Sequence, residues 1–357
     1  MAGVATALAL GLALSACGSK PSASASGGSS TLPRANTSFT ACMVTDTGGI
    51  NDKSFNASAW AGMQKSQKDG KANVSFLQST AENDYAPNIA QLVQQKCKLI
   101  ITVGGLMGTA TADAAKSNPS QHFAIVDSNG NGGNVHGMQF NTAQSGFLGG
   151  YLAAGYSKSG KVATFGGQKI PPVTIYMDGF VEGVKYYNAQ KHKNVAVLGW
   201  DESKQNGSFT GSFTDSSKGQ TIANNFIQQG ADVIYPVAGG SGLGGAAAAQ
   251  SSGGKAVVIW VDTDGCVSAS QYCNVFLSTT FKDVGGAVTK AVEGAAGGSY
   301  ATTDYIGTLQ NGGTGLSPFH QFDSKVPAGL KSELDQVKAD IISGKIKINS
   351  PSQPKSS

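Results

Sequence analysis

The sequence predicts an α/β protein of two doubly wound lobes, and three observations carry that expectation. Short β-branched runs alternate with helical stretches from Ala41 to Asp127, the pattern of a parallel sheet covered by helices on both faces. The same alternation begins again at Lys161 and runs to Asp262. At 357 residues the chain also exceeds what one hydrophobic core usually serves.

In the first lobe the expected strands are Ala41–Thr45, Val74–Gln78, Leu99–Val103 and His122–Val126. Between them lie a helix over Phe55–Lys68, a helix capped by Asp84 with Ile89, Leu92 and Val93 on one stripe, and a helix ending near Lys116. Around Asn141 the chain is expected to cross over, with Thr142 capping a helix whose apolar face is Phe147, Leu148, Tyr151 and Leu152. Strands follow at Lys161–Phe165, Val195–Gly199, Asp232–Pro236 and Val257–Val261. The helix carrying Val173, Tyr176, Met177, Phe180 and Val184 reads as core. A helix over Lys218–Gln228 comes next, and the Gly239–Gly245 loop feeds an alanine-rich helix. Ser278–Lys282 is expected at the return crossing, and a last crossing falls near Ser317. The helix with Leu330, Leu334, Val337 and Ile341 then closes the chain. The lobes so drawn are residues 39–141 plus 277–316 and residues 142–276 plus 317–345, with 346–357 as a disordered tail. The second lobe copies the first in architecture, and no repeat of sequence is visible.

The stretch Val44–Asn56, VTDTGGINDKSFN, is a strand end, a tight polar loop and a helix start. Such turns lie at the carboxyl edge of a parallel sheet, where open α/β folds place ligands. A carboxylate, an aromatic ring and an amide therefore converge on one cleft.

This segment resembles the opening signature of the basic membrane protein family of ABC-transporter substrate-binding lipoproteins, whose best-understood members bind purine nucleosides. The resemblance continues through GFLGGYLAAGYSKSGKVATFGG (Gly146 to Gly167), GSFTDSSKG (from Gly211), QGADVIYPVAGGSGLGG (from Gln229), WVDTDG (from Trp260) and STTFKDVGGAV (from Ser278). It implies a type I periplasmic binding protein fold, with two Rossmann-like lobes joined by a three-crossing hinge that permits closure on ligand. It also implies a purine held between Phe55 and Phe213, one ring from each lobe. Stacking on an aromatic ring is worth about 1–3 kcal/mol per base. Asp46, Asn56 and Asp127 would read the base edge. Gly239 would bring backbone close to the sugar, and Asp262 and Lys282 would bond its hydroxyls. Asp264 rivals Asp262, since it points to the same side of an extended chain. Gly265, where the family pattern resembles a glutamine position, and an inserted-looking Cys266–Cys273 loop are departures that bear on which sugar fits.

Val4–Leu14 is apolar, too short to span a bilayer, and ends in Leu14-Ser15-Ala16-Cys17, which resembles a bacterial lipobox. Residues 1–17 then read as a lipoprotein signal peptide, Cys17 as the lipidated residue, and residues 18–38, rich in Ser, Gly and Ala, as a flexible tether. Four cysteines remain of five, an even number that an exported chain can pair. Cys42 and Cys97 introduce neighbouring strands, so a bridge between them is geometrically reasonable, and its closure of a long loop is worth about 4 kcal/mol on the chain-entropy model. Cys266 and Cys273 would staple a surface loop. Free thiols remain the alternative for both pairs.

A net charge of +4 without a dense Lys/Arg block is too mild to imply a nucleic-acid partner, and none is expected. The expected partners are a small-molecule ligand, an ABC permease with its ATPase, and the membrane through the Cys17 lipid, with the protein itself a monomer. No metal or cofactor is expected. The four histidines (His122, His136, His192, His320) are scattered and no carboxylate cluster suited to activating water is visible, which argues against an enzyme. Residues 240–245 formally satisfy GxGxxG, so an NAD-dependent oxidoreductase is a remote rival, decided by a thermal shift with NAD or NADP. GYSKSGK (155–161) imitates a phosphate-binding loop but follows a helix and precedes a strand, the reverse of the needed order. The nearer rival is a simple sugar, which Trp200 or Trp260 could stack.

Overall fold

A computed structural model describes residues 27–354, so the expected signal segment, Cys17 and residues 18–26 lie outside the described residues. The chain begins with β1 (Gly27–Ser29), β2 (Thr40–Thr45), α1 (Phe55–Lys68), β3 (Asn73–Gln78), α2 (Tyr85–Gln94), β4 (Leu99–Val103), α3 (Gly108–Ser117), β5 (His122–Val126) and β6 (Val135–Phe140). It crosses into α4 (Ala143–Tyr156), β7 (Lys161–Gly166), α5 (Pro171–Lys191), β8 (Ala196–Leu198), β9 (Trp200–Asp201), β10 (Asn206–Gly207), α6 (Ser216–Gln228), β11 (Val233–Val237) and α7 (Gly242–Ser251). Next come β12 (Val257–Asp262), α8 (Gly265–Ser268), β13 (Phe276–Lys282), α9 (Val284–Ala296), β14 (Tyr305–Gly307), β15 (Thr314–Leu316) and α10 (Ala328–Ile342).

The strands form two large sheets. The first has the order β1-β3-β2-β4-β5-β6-β14 and the second β15-β13-β12-β11-β7-β8. Within these two sheets every pairing is parallel except those of β1 with β3 and β15 with β13, and β9 and β10 form a separate antiparallel pair. Both sheets are doubly wound. The order reverses between β2 and β4 in one and between β7 and β11 in the other, which opens a crevice at the carboxyl ends of those strands. Central strands such as LIITV of β4 are buried along their whole length, as a sheet covered on both faces requires.

Three crossings join the lobes, after β6, after β13 and between β14 and β15. Hydrogen bonds tie them together. Asn141 N donates to Gly307 O (2.8 Å), Leu309 N to Gln144 Oε1 (2.8 Å), and Asp283 N to Gly313 O (2.9 Å).

The boundary expected at residue 277 is displaced. Phe276–Lys282 pairs with β12 as an interior strand of the second sheet, and Thr314–Leu316 pairs with its other side, so both segments belong to lobe two. The alternating Ser and Thr of STTFK hid a buried strand: their hydroxyls find partners inside, as when Thr280 Oγ1 meets Tyr235 Oη at 2.8 Å. The strand β6 was not expected at all, because its Gly and His interrupt the apolar run. Asp84 precedes α2, but its carboxylate accepts from Thr80 and Ala81 rather than from that helix, and Thr142 makes no side-chain cap bond.

The two ends are more ordered than their composition indicates. Gly27–Ser29 covers the edge of β3, and Gln67 Nε2 donates to Leu32 O (3.0 Å) and Pro33 O (2.9 Å), so the second half of the expected tether is docked on lobe one. In the expected disordered tail, Ile346 and Ile348 are buried. Ser350 Oγ donates to buried Asp178 Oδ2 (2.5 Å), whose other oxygen receives Trp200 Nε1 (2.9 Å) and Gln205 Nε2 (2.8 Å). The tail is held because Asp178 would otherwise be an under-satisfied buried carboxylate. Disulfides join Cys42 to Cys97, at the heads of adjacent β2 and β4, and Cys266 to Cys273.

Candidate functional site

All eight residues expected to meet the ligand line the crevice between the lobes: Asp46, Phe55, Asn56, Asp127, Phe213, Gly239, Asp262 and Lys282. Topology explains the convergence. Asp46 and Asp127 follow β2 and β5, Gly239 follows β11, and Asp262 and Lys282 end β12 and β13, so one polar residue after another is delivered to the same sheet edges.

On the lobe-one side, Asp52 organises the loop. Its Oδ1 accepts from Ser54 N and Ala57 N, both at 3.0 Å, and its Oδ2 from Asn56 N at 2.8 Å, which satisfies the free amides at the start of α1. The Asn56 amide nitrogen is thereby fixed between two carboxylates, donating to Asp46 Oδ1 (2.7 Å) and Asp52 Oδ2 (3.0 Å). The opposite amide orientation would aim oxygen at oxygen. Both donors are thus consumed, and Asn56 Oδ1 is left buried without a partner. Burial pushes Asp46 from 3.8 up to about 6, against the bonds from Asn56 and Gly48 N, with Asp52 and Asp127 adding to the rise. Gly104, at φ +127°, lies under Asp46, where a Cβ would come within 3.1 Å of Oδ2.

Phe55 and Phe213 enter from opposite lobes, and each is half-buried on the margin of its own lobe's core rather than sunk within it. Phe213 packs against Gly167, where a Cβ would meet its ring at 2.4 Å, and lies beside Gly239. Gly239 has φ +53°, a conformation that favours glycine.

Lys282 is buried. Its Nζ donates to Asp127 Oδ2 (2.7 Å), lies 3.7 Å from Asp262 Oδ1, and stands 4.4 Å from the centre of the Phe55 ring. Burial alone would lower its pKa, but the two carboxylates outweigh that and hold the ammonium above its usual value. Asp127 therefore joins Lys282 and Asp262 rather than Asp46 and Asn56, with which the sequence had grouped it.

The choice between Asp262 and Asp264 is resolved by the backbone. Asp262 adopts φ +67°, so the chain is not extended there and the two side chains diverge. Asp262 faces the cavity, whereas Asp264 turns to His320 Nε2 (2.7 Å) and the amide of Cys266 (3.0 Å). Asp264, Cys266 and His320 are the one cluster with metal-ligating atoms in mutual reach among the described residues, but Cys266 is already in a disulfide.

Four residues escaped the sequence reading. Tyr176, taken as core, is buried, yet its hydroxyl reaches Asp262 Oδ1 and Thr280 O, both at 3.4 Å, and its ring lines the cavity. Ile170 and Pro172, at the start of α5, supply apolar wall. Ser54 Oγ donates across the crevice to Asp262 Oδ2 at 2.6 Å. Only Ser54 had a legible signal, its place just ahead of a helix. Trp200 and Trp260, the platforms a sugar would use, are both buried in lobe two away from the cavity.

Residues 39–352 match the model of a family described as ABC transporter substrate-binding protein PnrA-like. The ABC transporter nucleoside-binding protein BmpA of Lactococcus lactis subsp. cremoris is 32% identical over 342 residues, covering 90% of this chain and 92% of the relative. The CD4+ T-cell-stimulating antigen of Listeria innocua is 33% identical, covering 97% and 96%. An ABC transporter solute-binding protein from Aeropyrum pernix K1 superposes with a TM-score of 0.78 at 24% identity, covering 87% of this chain and 94% of that one. The matched family and the Lactococcus relative are substrate-binding components of ABC transporters rather than enzymes, and the Aeropyrum structure shows the same fold. The chain is a member of the PnrA-like, or Bmp, family of ABC transporter substrate-binding proteins.

Proposed function

We propose that this protein is an extracytoplasmic receptor, anchored by a lipid on Cys17, that captures a purine nucleoside between its lobes and delivers it to an ABC permease driven by its ATPase. The observation that carries the reading is the placement of Phe55 and Phe213, one from each lobe, on a single crevice beside a hydrogen-bonding edge. The nucleoside-binding name of the Lactococcus relative supports the same ligand class.

The edge narrows the choice of base. At neutral pH Asp46 is ionised, Asn56 has spent both its donors, and what remains on each residue is an acceptor. The matching base presents adjacent N–H donors. Guanine does so with N1–H and its 2-amino group, whereas adenine offers an acceptor at N1. Lys282 and Asp262, with Gly239 opposite, are assigned to the ribose.

Isothermal titration with guanosine, inosine and adenosine tests this. Guanosine is expected to bind tightest and adenosine at least tenfold more weakly; the reverse order would remove the assignment of the edge. Phe55→Ala and Phe213→Ala should each weaken guanosine binding at least tenfold, as the loss of one stacking face implies. Unchanged affinity in both variants overturns the two-ring clamp.

A further inference from the structure

Ser54 precedes α1 in lobe one and is fully buried. Its amide is committed to Asp52 Oδ1 (3.0 Å), so the side chain is fixed in direction, and its hydroxyl donates to Asp262 Oδ2 (2.6 Å) in lobe two. The other oxygen of Asp262 faces the Tyr176 hydroxyl (3.4 Å) and Lys282 Nζ (3.7 Å). Lys282 in turn reaches back to Asp127 of lobe one at 2.7 Å. Two lobe-to-lobe bonds therefore converge on one carboxylate–ammonium pair, and both involve charged, water-excluded groups, the kind of hydrogen bond that contributes most. Neither can persist once the lobes separate.

We propose that Ser54 is the closure latch of the receptor: a positioning residue that touches no ligand itself, holds Asp262 against lobe one, and sets the lifetime of the closed form. The inference rests on the reading of the crevice as the nucleoside site. Asp262 is where the two meet, because the carboxylate assigned to the sugar is also the one gripped by Ser54. A ligand that draws Asp262 into place makes the Ser54 bond easier to form, and the formed bond holds the ligand in. A shift in the closed-to-open ratio follows from any interaction made in one state alone. Ligand escape requires opening, so loss of the latch appears in the off-rate while the on-rate, set by encounter with the open shell, stays put.

The experiment compares the wild type, Ser54→Ala and Ser54→Thr as full-length proteins. Stopped-flow release of guanosine is expected to accelerate about tenfold in the alanine variant, with the on-rate within twofold, and threonine is expected to restore slow release because it keeps the hydroxyl. In an Asp262→Ala background, adding Ser54→Ala should change the off-rate no further. A wild-type off-rate in Ser54→Ala, or an equal effect with and without Asp262, overturns the latch. A general packing defect would instead leave the alanine effect intact in the Asp262→Ala background. Pulsed electron resonance between nitroxides at Lys71→Cys and Lys193→Cys, one on each lobe, reads the closed fraction with no ligand present. Ser54→Ala should reduce it about tenfold, and an unchanged distance distribution sinks the latch whether or not guanosine binds. Failure of wild-type protein to bind guanosine, together with a latch-dependent closed fraction, would instead discard the nucleoside reading and leave the latch standing.

Discussion

On the proposed reading of the crevice, Asp46 would tie ligand capture to acidity. A ligand N–H needs the ionised carboxylate, and burial has moved that ionisation up to about 6. Guanosine affinity is therefore expected to hold between pH 7 and 8 and to be about tenfold weaker at pH 5, measurable by titration in matched buffers. The stability of the ligand-free protein moves the other way. Because the folded pKa lies above the ordinary 3.8, the folded state binds protons more readily, so Asp46 costs nothing below pH 3.8 and costs progressively more as pH rises through about 6. Asp52, also raised by burial, slopes in the same direction. Urea unfolding of Asp46→Asn should show a shallower loss of stability between pH 4 and 7 than the wild type. Asp46, Asp127, Asp262 and Lys282 were legible because each lies at or just after a strand end. The hydrogen-bond wiring that sets their roles was not, since it depends on Asp52, which no pattern marks as the hub.

Among the elements, α4 and α5 approach almost backbone to backbone. A Cβ on Gly150 would stand 2.0 Å from Phe180 O, and one on Gly183 would stand 2.1 Å from Phe147 O. Lobe one repeats the device, since a Cβ on Gly62 of α1 would stand 2.3 Å from Gly285 O of α9. Gly150→Ala would force these helices apart, and the expected loss is about 1–3 kcal/mol by chemical denaturation, as overpacking usually costs. The same comparison between lobes reveals a repeat that the sequence reading missed. Val126-Asp127-Ser128-Asn129-Gly130 follows β5 and Val261-Asp262-Thr263-Asp264-Gly265 spans the end of β12, and Asp127 and Asp262 share φ values of +64° and +67°. Five-residue echoes separated by more than a hundred residues become visible only when two strands are seen to occupy matching places. Strand and helix identity came through because apolar periodicity is local. The placement of β13 did not, because which sheet a strand joins depends on partners far along the chain.

At the scale of the whole molecule, the last residues act as part of the body. Ser352 Oγ lies 2.8 Å from Thr174 Oγ1, and Gln353 Nε2 reaches Asn141 Oδ1 at the first crossing (3.5 Å). Truncation before Asn349 should expose Asp178, lower the thermal midpoint by several degrees, and leave the protein folded, as circular dichroism would show. No described helix is long and apolar enough to cross a membrane. The twin aspartate turns carry one last implication. A shell built from two similar halves would, by itself, accept a guest in either of two opposed poses. Lys282 has no counterpart among the described lobe-one residues lining the crevice, so on the proposed reading one ammonium would break the tie and fix a single pose for the solute.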